Sequence, residues 1–225
     1  MADKKNLPNP FPGLRPFQSD EEHLFFGRET QTLELLQLLR GNRFVGVIGT
    51  SGSGKSSLVR CGLLSELYGG SFLEAGTDWE VAVMNPGGGP FNQLSKSLVD
   101  SDIYDSEEAD VHLKLNATLR RSRLGLVEAI RQAALPEGTN FLLVVDQFEE
   151  IFRYSEAGEE EEEAADDFIS MILEASKQSG VPIYVIITMR SDYIGDCSKF
   201  EGLPEEINES EYLIPRLSRE EYKSV

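Results

Sequence analysis

The sequence predicts an α/β fold, a three-layer αβα sandwich built on a mostly parallel sheet of about five strands. Short apolar segments rich in β-branched residues alternate with longer segments of helical periodicity. This alternation is typical of parallel strands joined by helices that cover both faces of the sheet. The chain has 225 residues, of which 40% are hydrophobic, and this is enough for one sizeable domain of that kind.

The charge of the chain argues against one class of partner. Lys and Arg number 21 and Asp and Glu number 39, so the formal net charge is −18. Such a chain repels a phosphate backbone, so we expect no nucleic-acid-binding surface. A local site for a small anion is still compatible with this net charge. No apolar segment has the length of a signal peptide or a membrane span. With two cysteines, too few for a disulfide framework, we expect a cytoplasmic protein without a membrane partner.

The predicted helices and strands alternate along the chain after an N-terminal arm. Four prolines within residues 1–28 disfavour a helix, so we expect an N-terminal arm there and a core over residues 29–225. Leucines at helical spacing predict a first helix over 29–40, which Gly41 would end. Apolar segments predict strands over 44–48, 79–84, 141–145 and 183–189. Further helical patterns cover 55–67, 91–99, 124–134 and 168–177.

Two segments give a weaker pattern. Residues 101–123 are polar and show little periodicity, so no element is placed there. Residues 155–167 carry eight acidic side chains and no basic one. Because such a run repels itself and stays solvated, we expect an acidic loop plus the mobile start of a helix.

The most specific motif follows the first predicted strand. Residues 49–56 match the pattern GxxxxGK[ST] without exception, with a buried strand before them and a helix after them. In this P-loop, glycines let the backbone wrap around phosphates, and N–H groups at the start of the helix point at them. A flexible glycine-serine linker would not lie between a core strand and an apolar helix. The candidate nucleotide-binding residues are Gly49, Thr50, Ser51, Gly52, Ser53, Gly54, Lys55, Ser56 and Ser57.

Three of these side chains have an expected role. Lys55 would neutralise the β- and γ-phosphates, and we count it among the catalytic residues. The hydroxyl of Ser56 would be a Mg²⁺ ligand, and Ser57 would lie near the α-phosphate. We therefore expect ATP or ADP together with Mg²⁺ as the ligands.

A second motif lies at the end of the strand predicted over 141–145. The apolar segment ends in Asp146, and a carboxylate at the carboxyl end of a parallel strand faces the ligand crevice. Asp146 would hold Mg²⁺ directly or through water. A glutamate just beyond it can polarise the attacking water, and Glu149 is slightly favoured over Glu150. Each glutamate can also be read as part of a solvated acidic turn.

A third, weaker motif lies at the end of the strand over 183–189. If this strand lies between the P-loop strand and the strand before Asp146, a polar group at its end could sense the γ-phosphate. Arg190 is the candidate for that role. The alternative is an arginine that forms a salt bridge at the end of the strand.

Taken together, these motifs resemble the nucleotide-binding domain of STAND NTPases, within the AAA+-related group, and most of all the bacterial novel-STAND type. The likeness covers about residues 8–220. The P-loop alone is generic, but its combination with the other segments is specific. The resemblance rests on NPFPGLRPF at 9–17, FFGRE at 25–29, the P-loop, DQFEE at 146–150, TMR at 188–190 and YLIPRL at 212–217.

The resemblance implies several structural features. The strand order would be 5-1-4-3-2. Phe26, Gly27 and Arg28 would lie at the adenine side of the nucleotide, and Pro215 would touch the nucleotide. STAND proteins usually continue into a helical lid and a winged-helix domain, and these lie outside the sequence, so we expect a truncated chain.

The resemblance also implies a function. STAND proteins are switches in which ADP holds a closed monomer and ATP opens it into an oligomer, and many bacterial members act in signalling or defence against phage. We expect an ATPase that is weak in isolation, self-association in the active state, and C-terminal sensor or effector domains in the natural protein. The alternative is a nucleotide-dependent interaction scaffold with negligible turnover. A small-molecule kinase, a GTPase and an ABC ATPase are disfavoured, because no acceptor-site, [NT]KxD or LSGGQ-like signature occurs.

Overall fold

A parallel β-sheet forms the centre of the protein. The computed structural model describes residues 17, 21, 24–70, 78–101, 103–104 and 110–215. The described strands are β1 Phe44–Gly49, β2 Trp79–Met84, β3 Asn140–Val145, β4 Ile183–Arg190 and β5 Glu211–Leu213. They are ordered β2-β3-β4-β1-β5, and each neighbouring pair is parallel. This confirms the predicted fold class, and the order is the predicted 5-1-4-3-2 read from the opposite edge.

The four strands predicted from apolar segments are all present, each within one residue of its expected ends. β5 had been implied only through the strand order of the resemblance. It has three residues, and its side chains are exposed or half-buried. Such a short edge strand carries no apolar segment that a sequence pattern could detect.

Helices cover both faces of the sheet. The helix after the P-loop is continuous from Lys55 to Tyr68, and its middle turn is π-helical. In the acidic segment, residues 156–158 form the expected loop and residues 159–167 form the start of α8, which is longer than the helix predicted over 168–177. Acidic side chains are favoured at the positive N-terminal end of a helix, and buried Phe168 anchors the same helix to the core. The described helices are α1 Glu29–Gly41, α2 Lys55–Ser57, the π-turn Leu58–Leu63, α3 Leu64–Tyr68, α4 Pro90–Asp100, α5 Val111–Leu119, α6 Gly125–Gln132, α7 Glu150–Ser155, α8 Glu159–Lys177, the 3₁₀ helix Ser191–Lys199 and α9 Leu203–Glu209.

Two apolar cores lie on the two faces of the sheet. Alternate residues of β3 point to opposite cores: Phe141, Leu143 and Val145 to one, Leu142 and Val144 to the other. Helices α4, α5, α6 and α8 cover the first core, and α1 with the helix after the P-loop covers the second. Because both faces are buried, the central strands are apolar throughout rather than alternating.

Some expectations fall outside the described residues. Most of the N-terminal arm and residues 216–225 are not among the described residues. Within the described ranges, no helix combines the length and the apolar character needed to cross a bilayer.

Candidate functional site

The P-loop joins the carboxyl end of β1 to the start of α2. Gly52 and Gly54 have φ angles of 72° and 87°, a left-handed conformation that favours glycine because it has no Cβ. At Gly49 a Cβ would lie 2.6 Å from Oγ of Ser53. These three glycines therefore let the loop wrap tightly.

Lys55 lies across the mouth of this loop. Its Nζ donates hydrogen bonds to the carbonyl oxygens of Gly49, at 3.0 Å, and of Thr50, at 2.9 Å. Burial is the main cause that lowers the pKa of Lys55, while the nearby carboxylate of Glu149 acts in the opposite direction. The ammonium group is thus held between the loop and an acidic region at the strand ends.

Asp146 connects the P-loop helix to the middle of the sheet. Its Oδ1 accepts a hydrogen bond of 2.7 Å from Oγ of Ser56 and one of 2.6 Å from Oγ1 of Thr188. The residue is only 4% exposed. Because β4 lies between β1 and β3, Thr188 on β4 fills the space between the P-loop strand and the strand that carries Asp146.

The oxygen atoms of Ser56 and Asp146 fit a magnesium site. A hydroxyl and a carboxylate are hard donors of the kind that Mg²⁺ prefers, and the structure brings them within 2.7 Å of each other. These two residues would hold the ion, which would neutralise phosphate charge when bound.

The two candidate glutamates occupy different places. Glu149 is buried, and its Oε2 accepts a hydrogen bond of 3.3 Å from the backbone N–H of Arg190. It is also the carboxylate that most strongly raises the pKa of Lys55. Glu150 instead turns towards the loop after β2, where its carboxylate lies over Gly87. It lines an open pocket of about 350 Å³ beside α4, so the structure groups Glu149, and not Glu150, with the P-loop lysine.

Arg190 lies at the rim of the site and is paired with an acid. Its Nε and Nη2 donate hydrogen bonds of 3.1 and 2.5 Å to the two carboxylate oxygens of Asp192. This contact raises the pKa of Arg190, and the positive charge of Arg190 in turn lowers the pKa of Lys55. Arg190 therefore forms a salt bridge at the end of its strand, as in the alternative interpretation of the sequence. Its role as a sensor of the γ-phosphate stays a prediction.

Arg28 links three segments around the P-loop. Its guanidinium donates to the carbonyl oxygen of Pro215 at 2.9 Å and to that of Ser53 at 3.3 Å. Gly27, with a φ of 79°, precedes it, and Phe26 is half-exposed at the surface. The structure thus brings Arg28 and Pro215 together at the P-loop. Their contact with adenine stays a prediction.

Ser57, which follows Ser56 in the P-loop helix, contacts the N-terminal arm. It is buried, and its Oγ accepts a hydrogen bond of 3.2 Å from the backbone N–H of Phe17. The ring of Phe17 also packs edge-to-face on Phe25, with centroids 5.8 Å apart. At residue 17, then, the N-terminal arm packs on the domain, and Ser57 faces the arm.

Two residues at the site had not been assigned a role from the sequence. Thr188 lies in the segment TMR at 188–190, in which only the charged Arg190 was assigned a role. Arg60 donates from Nη2 to Oδ2 of Asp146 at 3.1 Å. A signal for it was available, because residues four positions apart share one face of a helix and Arg60 follows Ser56 at that spacing.

Comparisons with known proteins agree with this geometry. A family model described as Novel STAND NTPase 1 matches residues 10–225. No curated protein matches the chain. A solved Walker-type ATPase of Pyrococcus abyssi is similar with a TM-score of 0.54 and 14% identity, over 93% of this chain and 58% of that one. At this identity the likeness concerns the fold.

Two further solved structures are similar at lower TM-scores. The ORC2 protein of Aeropyrum pernix, in its ADPNP–ADP complexes, gives a TM-score of 0.47 at 14% identity, over 95% of this chain and 50% of that one. Cdc6p of Pyrobaculum aerophilum gives 0.46 at 17% identity, over 83% and 45%. The chain spans about half the length of the solved structures that it matches.

Proposed function

The chain belongs to the Novel STAND NTPase 1 family, and from this premise we propose that it is the ATP-binding and slowly hydrolysing switch domain of a signalling or defence protein. One observation carries the proposal. The hydroxyl of Ser56, at the end of the P-loop, lies 2.7 Å from the carboxylate of Asp146, with Lys55 beside them. A phosphate cradle and a metal-binding carboxylate therefore share one site, as nucleotide binding requires.

Phosphate binding would use groups that the fold already positions. The backbone N–H groups of residues 50–56 and the start of α2 supply partial positive charge. Lys55 would exchange the carbonyl oxygens of Gly49 and Thr50 for phosphate oxygens. Such an exchange favours binding, because a fully ionised phosphate is a stronger acceptor for an ammonium group than a neutral carbonyl.

Hydrolysis would depend on Glu149. The hydrogen bond from the backbone of Arg190 holds its carboxylate at the carboxyl ends of β3 and β4, on the side of Lys55. A carboxylate at this place can orient a water molecule towards a γ-phosphate and accept its proton. Glu150 faces the separate pocket beside α4, so we assign the water-positioning role to Glu149.

The contact between Arg190 and Asp192 favours slow turnover. A guanidinium held by a bidentate carboxylate is less able to stabilise charge on a phosphate. Faster hydrolysis would then need a rearrangement or an arginine from a neighbouring molecule. The same observation favours the second candidate function, a nucleotide-dependent scaffold with negligible turnover.

The wider role follows from the family. We propose that ADP favours a closed form, that ATP favours self-association, and that sensor or effector domains lie beyond this domain in the natural protein. We also place the protein in the cytoplasm.

Phosphate release measured across protein concentration tests the proposal. A slow switch releases phosphate, and a rate that rises with the square of the concentration would mean that a neighbour completes the site. Glu149→Gln should abolish release while nucleotide binding is kept, and Glu150→Gln is the matched control that should retain it. Wild-type protein that binds ATP but releases no phosphate at any concentration would support the scaffold instead.

A further inference from the structure

Arg60 forms an ion pair with Asp146, the carboxylate that the proposed function assigns to the metal. Asp146 accepts from Ser56 and Thr188 at Oδ1, while its Oδ2 accepts from Nη2 of Arg60 at 3.1 Å. All of these partners come from the P-loop helix or from β4. The carboxylate is therefore already neutralised by a cation of the chain itself.

The position of Arg60 suits a group that moves. Its side chain is 27% exposed, against 5% for that of Asp146, so the guanidinium has a path to solvent. Its Nε is buried and has no hydrogen-bond partner among the described residues. Among the described residues, Nη2 of Arg60 bonds to Asp146 and its Nε has no partner, so displacing the guanidinium breaks one hydrogen-bonded ion pair there.

The helix around Arg60 is also unusual. Arg60 lies in the π-turn Leu58–Leu63, directly after the three residues of α2. π-Helical turns inside α-helices are rare and are frequent at functional sites. The turn packs on α1 through Gly62, where a Cβ would collide with Oγ1 of Thr32. If Arg60 is displaced, the movement therefore starts in the π-turn, which is in contact with α1.

We propose that Arg60 is an internal counter-cation of Asp146, and that Mg²⁺ bound with a nucleotide displaces it. This inference rests on the proposed function, because it assigns the ion to Ser56 and Asp146. Two cations on one buried carboxylate repel each other, so the arginine and the ion compete. Arg60 is then a positioning residue that opposes metal binding and holds Asp146 in place without the metal.

Two measurements test the inference. The first is the Tm in EDTA without nucleotide, for wild type, Arg60→Gln, Arg60→Lys and the control Arg123→Gln. Removing the partner of a buried carboxylate destabilises a protein, so Arg60→Gln should lower the Tm by about 2–4 °C. Arg60→Lys keeps the charge and should restore part of this loss. Arg123 is exposed on the connection before α6, and its variant should match wild type.

The second measurement is ADP affinity by calorimetry, with Mg²⁺ and with EDTA. The factor by which Mg²⁺ strengthens ADP binding should be roughly tenfold larger in Arg60→Gln than in wild type, which corresponds to about 1.4 kcal/mol. Arg60→Lys should give an intermediate factor. A purely structural role for Arg60 would leave this factor unchanged.

The outcomes separate this inference from the proposed function. If wild type binds no ADP under either condition, the proposed function fails, and the inference fails with it. If wild type binds ADP more tightly with Mg²⁺ and Arg60→Gln shows the same factor, the inference alone is overturned. A loss of ADP affinity in Arg60→Gln that is already complete in EDTA would also overturn it, since Arg60 would then contact the nucleotide directly.

Discussion

Oγ1 of Thr188 donates a hydrogen bond of 2.6 Å to Oδ1 of Asp146 and accepts one of 3.0 Å from the backbone N–H of Gln147. The threonine is fully buried. One hydroxyl thus satisfies two groups at the turn after β3, and it does so from the neighbouring strand. The position of the candidate metal-binding carboxylate depends on this contact between the strands.

Replacing Thr188 by Val should therefore destabilise the protein. The valine keeps the shape but leaves both Asp146 and the N–H of Gln147 without this partner, and a buried unsatisfied group costs about 1–3 kcal/mol. Urea unfolding measures the loss. Thr188→Ser, which keeps the hydroxyl, should lose much less, and equal losses in the two variants would contradict this prediction, since the methyl group would then contribute as much as the hydrogen bonds.

The residue pattern predicted the parts of the fold that depend on local chemistry. The strands over 44–48, 79–84, 141–145 and 183–189 were recognised because strands buried on both faces are apolar throughout. The P-loop was recognised because few structures other than a phosphate-binding loop need glycines and a lysine in the order GxxxxGK[ST]. Ser56 and Asp146 were expected at one site because ligand-binding groups meet at the carboxyl ends of parallel strands, whereas their direct hydrogen bond was not predicted.

Arg28 gives a second prediction, because it joins segments far apart in the sequence. Arg28→Gln should release the carbonyl oxygens of Pro215 and Ser53, and hydrogen bonds to a charged donor are worth about 1.5–3 kcal/mol each. Amide hydrogen exchange should then become faster in β5 and in the P-loop. Exchange that is unchanged in both segments would show that other contacts hold them.

Gly62 gives a third prediction about packing. Gly62→Ala should destabilise the protein by about 1–3 kcal/mol, because its Cβ would collide with Oγ1 of Thr32 on α1. Alanine is otherwise favoured over glycine in a helix by about 1 kcal/mol. Adding Thr32→Ala should recover most of the loss in chemical denaturation. At Gly41 a Cβ would meet nothing within 4 Å, so Gly41→Ala is the control, and an equal loss there would contradict the packing argument.

Cys197 gives a prediction about pH. Burial raises the pKa of its thiol from 9.0 to about 11. Between these values the thiol of the unfolded chain loses its proton while the native thiol keeps it, so the stabilisation present below pH 9 is lost as pH rises to about 11. The difference in unfolding free energy between wild type and Cys197→Ala should shrink over this range. A difference that stays constant would show that the thiol titrates alike in both states.

The parts that the sequence pattern missed depend on long-range packing. The acidic segment at 155–167 was expected to be a loop plus the mobile start of a helix because its charges repel. Residues 159–167 all belong to α8, Glu159–Lys177, whose later residues are anchored in the core. The choice between Glu149 and Glu150 could not be decided from neighbouring positions in a sequence. The choice required the position of each carboxylate in the structure: Glu149 lies near Lys55, and Glu150 lies over Gly87.

The most direct test of the account is the binding of Mg²⁺-ATP measured by calorimetry for wild type and Lys55→Ala. The control is Lys114→Ala, an exposed lysine of α5, which removes the same charge from a chain of net charge −18. Wild type and the control should bind Mg²⁺-ATP, and Lys55→Ala should show no measurable binding. Wild-type affinity in Lys55→Ala would contradict the phosphate-binding role of the P-loop.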